Sequence, residues 1–129
     1  LDDCLTFVGN FSSYSEVLDA LDIVVQSAQV QVSGFSILDA MGRGRPVIAF
    51  NTGTACEIIE TGRTGLLVPM DDVEKLAGAM EDLAESPNRA RRIGEAARRR
   101  RRRLQHPHRR RIHPHLLRPD PLRKITPPP

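Results

Sequence analysis

A chain of 129 residues has room for one domain at most. Two cysteines, no basic and apolar leader and no long apolar run argue against a disulfide scaffold, a signal segment and a membrane span, so a cytoplasmic protein is expected. The net charge of +3 hides two regions: residues 1–88 hold four basic and fourteen acidic side chains, residues 89–129 fifteen basic and two acidic.

The chain starts at Leu1 rather than a methionine, so its beginning is expected to be missing or processed. "LTFVG" (5–9) is an apolar run closed by a glycine and reads as a buried strand. Ser13 and Glu16 stand at capping-box spacing and open a helix over "YSEVLDALD". "DIVVQS" (22–27) is β-branched and apolar, a second buried strand. "SGFSILDAM" (33–41) carries Phe35, Leu38 and Met41 at helical spacing, and "GRGRP" ends that helix. "PVIAF" (46–50) is a third strand, with Pro46 placed where a ladder donor can be spared.

Thr54 and Glu57 form a second capping box in front of "ACEIIE". "GLLVP" (65–69) is a fourth strand. Asp71 and Glu74 form a third box, followed by Val73, Leu76, Ala77, Met80, Leu83 and Ala84 as an apolar helix face. Ser86 and Pro87 supply an N-cap and first-turn proline for a last helix through "NRARRIGEAARR". Cys4 and Cys56 read as small buried thiols.

Short apolar strands alternating with helices imply parallel strands joined by right-handed crossovers. The predicted fold class is α/β: a partial, doubly wound, Rossmann-like parallel sheet over residues 1–103, followed by a disordered basic tail over 104–129. Four strands make about half of such a sheet, and so small a unit buries little surface by itself.

Ligands of such sheets sit beyond the carboxyl ends of the strands. Gly34 lets backbone approach a ligand, and the amides of Gly34, Phe35 and Ser36 would point from a helix start toward a phosphate. The competing reading is that Gly34 only permits the turn. Asp39, over one turn into the helix, can accept from two neighbouring hydroxyls such as those of a ribose, or can be a solvated helix aspartate. Glu57 is most simply the partner of Thr54 in its cap.

The block "GFSILDAMGRGRPVIAFNTGTACEIIETGRTGLLVPMDDVEKLAGAMEDL", with the strand and helix before it, resembles the carboxyl-terminal nucleotide-sugar domain of the group 1 (family 4) retaining glycosyltransferases of GT-B fold. The resemblance covers roughly residues 5–98. It implies half of a GT-B carboxyl-terminal domain and a nucleotide-sugar donor held as substrate, with no cofactor and no metal. It also implies an unknown acceptor and a missing amino-terminal acceptor domain.

Carried over by position, Asp39 replaces the glutamate that holds the donor ribose, and Gln31 falls on the glutamate that contacts the hexose. Gln31 and Asp39 are thus the two positions nearest the chemistry. Gly34, Phe35 and Ser36, with Asp39, bind the donor. Aspartate keeps the charge on a shorter reach; glutamine keeps an acceptor and loses the charge. The family's diphosphate-binding arginine and lysine precede Leu1, and Arg43 and Arg45 read as surface charges, so the fragment alone is expected to be inactive.

The tail "RRRRRRLQHPHRRRIHPHLLRPDPLRKITPPP" (98–129) has no aromatic residue for base stacking. It reads as a frameshifted end. The alternative is a genuine basic appendage, which would make the protein a Rossmann-like module contacting nucleic acid or, peripherally, an anionic membrane surface. The two "HPH" stretches carry no cysteine or acidic companions and argue against a metal site.

Overall fold

The computed structural model describes residues 3–10, 12–29 and 33–105. In chain order these form α1 (Tyr14–Ala20), β1 (Val24–Gln26), α2 (Phe35–Gly42), β2 (Val47–Phe50), α3 (Gly53–Ile58), β3 (Leu66–Val68), α4 (Val73–Glu85) and α5 (Pro87–Gln105). Gln31 and the tail from residue 106 lie outside the described residues, and with them the expected hexose contact, the expected disorder of the tail and the "HPH" stretches.

The three strands form one parallel sheet in the order β1-β2-β3, Val24 opposite Val47 and Ile48 opposite Leu66. β2 is buried on both faces, as a central parallel strand should be. Its alternation divides the core. Val47 and Ala49 join Leu18, Ile37, Ala40, Met41, Ala55 and Ile58 on one side; Ile48 and Phe50 join Leu66, Val68, Leu83 and Ile93 on the other. Helix α5 reaches both layers, giving Ala97 to the first and Ile93 to the second.

The α/β class and partial parallel sheet are as expected, but among the described residues there are three strands rather than four. Residues 5–9 form no strand, and Phe7 is 90% exposed. Among the described residues β1 pairs only with β2, so its outer edge stays unpaired and residues 5–9 do not extend the sheet there.

Helix starts also shift. Ser13 caps α1 as expected, its hydroxyl accepting from the Glu16 amide at 3.4 Å. The cap of α3 lies two residues earlier than expected: Thr52, not Thr54, is the N-cap residue, and Gly53 takes φ +46 to enter the helix. At α4 the cap is Asp72, whose carboxylate accepts from the Lys75 amide at 2.9 Å, while Asp71 adopts a left-handed φ of 62. α4 therefore turns Leu76, Ala79 and Leu83 inward and leaves Val73, Ala77, Met80 and Ala84 exposed. In α2, Ile37, Ala40 and Met41 are buried and Phe35 is 69% exposed, so the inward face differs from the one expected. Both cysteines are exposed, correcting the buried reading.

Candidate functional site

Parallel strands all end at one edge of the sheet, and the loops leaving that edge gather around the start of α2. Gln26, last in β1, donates through Nε2 to the Ser36 hydroxyl at 3.1 Å, tying the strand to the first turn of α2. Gln29, in the next loop, donates to the Asp71 carboxylate at 2.8 Å, joining the loops after β1 and β3.

Gly34 is the N-cap of α2, with φ 63, and the helix has no side-chain cap. Among the described residues the Gly34 and Phe35 amides meet no acceptor. Gly34 also has a packing reason: an added β-carbon would lie 2.6 Å from Ile58 Cδ1 and 3.1 Å from Thr54 Cγ2. Both earlier readings of this glycine thus have a physical basis. It permits the turn against α3, and it leaves the helix start open.

Asp39 is exposed on α2, four residues and about 6 Å along the axis from Phe35. It lines an open groove of about 630 Å³ between α1, α2 and α5, together with Tyr14, Leu18, Arg98, Arg101 and Arg102. Residues 34–36 do not line that groove. The structure therefore sets the amides at the end of α2 and the carboxylate on its flank, on two adjoining surfaces. Sequence reasoning missed Tyr14 and the three arginines as neighbours of Asp39. No signal in the sequence could have found them, because Tyr14 lies on another helix and an unbroken run of arginines gives no register before α5 packs.

Arg43 and Arg45 work away from this edge. Arg43 pairs with Asp19, and Arg45 donates to the Asp19 carbonyl at 2.6 Å, so both bind the α2–β2 turn to α1. Glu57 is exposed on α3 and serves through its carbonyl, which accepts from Arg100 at 3.0 Å. Among the described residues no group of three metal-ligating side chains occurs, and no helix is long and apolar enough to cross a membrane.

Comparison with known proteins places this geometry. The family model for glycosyl transferases group 1 matches residues 1–100. The alpha-maltose-1-phosphate synthase of Mycolicibacterium smegmatis is 37% identical over 91 residues, covering 66% of this chain and 24% of that protein. The lipopolysaccharide core biosynthesis mannosyltransferase LpsB of Rhizobium meliloti is 32% identical over 81 residues, covering 61% of this chain and 23% of that one. Of solved structures, a sucrose-phosphate synthase from Thermosynechococcus elongatus superposes with TM-score 0.74 at 34% identity, covering 79% of this chain and 26% of that one. Anabaena HepE in complex with UDP gives TM-score 0.74 at 25% identity, covering 78% and 28%. The chain spans about a quarter of the length of these relatives. With a family match over most of its length, the chain belongs to the group 1 glycosyl transferases.

Proposed function

We propose that the chain is the donor-binding part of a glycosyltransferase, which moves a glycosyl group from a nucleotide sugar to an acceptor with retention of configuration. One observation carries this reading: the uncapped start of α2, opened by Gly34, stands at the carboxyl edge of a parallel sheet, with Asp39 about one turn further on. Neighbouring phosphate and ribose groups of one nucleotide match that separation. The binding of UDP and of UDP-glucose by Anabaena HepE supports the ligand class.

In this reading the Gly34, Phe35 and Ser36 amides receive the phosphate and sugar, Asp39 the ribose hydroxyls, and Gln31 the hexose. A separate amino-terminal domain supplies the acceptor site. No cofactor or metal takes part. Saturating nucleotide sugar should raise the melting temperature of the chain, because a ligand of the folded state stabilises it, and Asp39→Ala should remove that rise. No rise with any nucleotide sugar would count against the reading.

Gln31 accepts a neutral hydrogen bond where a carboxylate would accept a charge-assisted one. The difference, about 1 kcal/mol or more, corresponds to roughly tenfold in rate if it is felt in the transition state. In a chain joined to its amino-terminal domain, Gln31→Glu should raise turnover by about that factor. An unchanged rate would remove Gln31 from the site.

A further inference from the structure

Asp71 is the one non-glycine residue, among those described, whose φ is positive. The other left-handed positions, Gly34, Gly44, Gly53 and Gly62, are all glycine. A β-carbon is disfavoured in that conformation, so glycine would suit the turn at 71 better. The helix that follows gives no reason for the aspartate. α4 is capped by Asp72, whose carboxylate accepts from the Lys75 amide.

The reason lies across the sheet. The Asp71 carboxylate accepts from Gln29 Nε2 at 2.8 Å, a contact between residues 42 positions apart. Gln29 follows β1, Asp71 follows β3, and the central strand β2 lies between those two strands. The bond therefore spans the carboxyl end of β2 and ties the connection into α2 to the turn into α4. That connection is also tied at its base, where Gln26 donates to the Ser36 hydroxyl at 3.1 Å. The start of α2 is thus held from β1 and from the turn after β3.

A chance contact between two exposed polar side chains is the simple alternative, and the neighbouring aspartates argue against it. Asp72 makes its bond within one turn, from a φ of -84 that any residue adopts readily. Asp71 makes its bond from a backbone conformation that opposes it, and such conformations persist where the side chain has a task.

We infer that Asp71 is a positioning residue of the donor edge. Acting through Gln29, it holds the connection between β1 and α2 so that the Gly34 and Phe35 amides stand open toward the donor phosphate. Asp71 itself touches no ligand. This role deepens the donor reading and rests on it.

Three single variants of the full chain test the role. Asp71→Gly removes the carboxylate and relaxes the turn, and Gln29→Ala removes the donor of the bond. Asp71→Asn keeps an acceptor and tolerates the left-handed turn. In amide NMR spectra the Gly34 and Phe35 resonances should move in Asp71→Gly and in Gln29→Ala, and hold their places in Asp71→Asn. In calorimetric titrations with UDP, GDP and ADP, the nucleotide that binds should lose about fivefold in affinity in the first two variants. Asp71→Asn should cost less than about twofold, and Gln29→Ala/Asp71→Gly no more than either single change. Resonances at 34 and 35 that ignore Asp71→Gly would overturn the proposal. So would losses that add in the double variant, or an Asp71→Asn as damaging as Asp71→Gly. A nucleoside diphosphate that binds, tracks Asp39 and ignores Asp71→Gly would overturn this role and leave the donor reading standing. Binding by none of the three would remove the donor reading and this role with it.

Discussion

Gly94 of α5 lies so close to Gly44 in the α2–β2 turn that a β-carbon at position 94 would overlap the Gly44 carbonyl oxygen. This contact sets how α5 crosses the sheet, and so which of its arginines reach α2. Backbone cannot yield as a flexible side chain can. Gly94→Ala should cost about 3 kcal/mol, the upper end of ordinary overpacking, read as a lower urea midpoint.

Gly78 is the opposite case. It sits within α4, with nothing within 4 Å of an added β-carbon. There glycine contributes only excess freedom in the unfolded chain. Gly78→Ala should stabilise the protein by up to about 1 kcal/mol in the same urea titration.

Gly34 combines both constraints, a left-handed φ and a neighbour at 2.6 Å. Gly34→Ala should destabilise by about 2 kcal/mol, from backbone strain and overpacking together. Ile58→Val removes the clashing Cδ1 and should recover part of that loss. A double-mutant cycle measures the recovery as a non-additive term.

Arg100 ties α5 to the end of α3. It donates to the Glu57 and Ile58 carbonyls and pairs with Glu60. A planar fork reaches several acceptors that one ammonium cannot. Arg100→Lys should therefore lose about 1 kcal/mol or more by urea unfolding, despite keeping the charge.

Much of this fold was legible in the sequence. The apolar segments at 24–26 and 47–50 were readable as strands, although only the second is buried and the first is half-buried, and Ser86 with Pro87 marked the start of α5. Helix starts at 53 and 73 were displaced because Thr52, Gly53 and Asp72 were equally good local candidates, and backbone φ at Gly53 and Asp71 decided between them. Residues 5–9 carry strand-like composition, but composition cannot report whether the run pairs with the open edge of β1. The start of α2 was readable from Gly34 and the spacing to Asp39. The groove was not: a run of arginines gives no register until Gly94 meets Gly44 and sets Arg98, Arg101 and Arg102 along it.

Titration of the chain with a panel of nucleoside diphosphates, in wild type and Asp39→Ala, tests the donor reading most directly. We expect one of them to bind saturably, Asp39→Ala to weaken it by about tenfold, and Asp39→Glu to retain it. Equal affinity in wild type and Asp39→Ala, or no saturable binding by any of the panel, would contradict it.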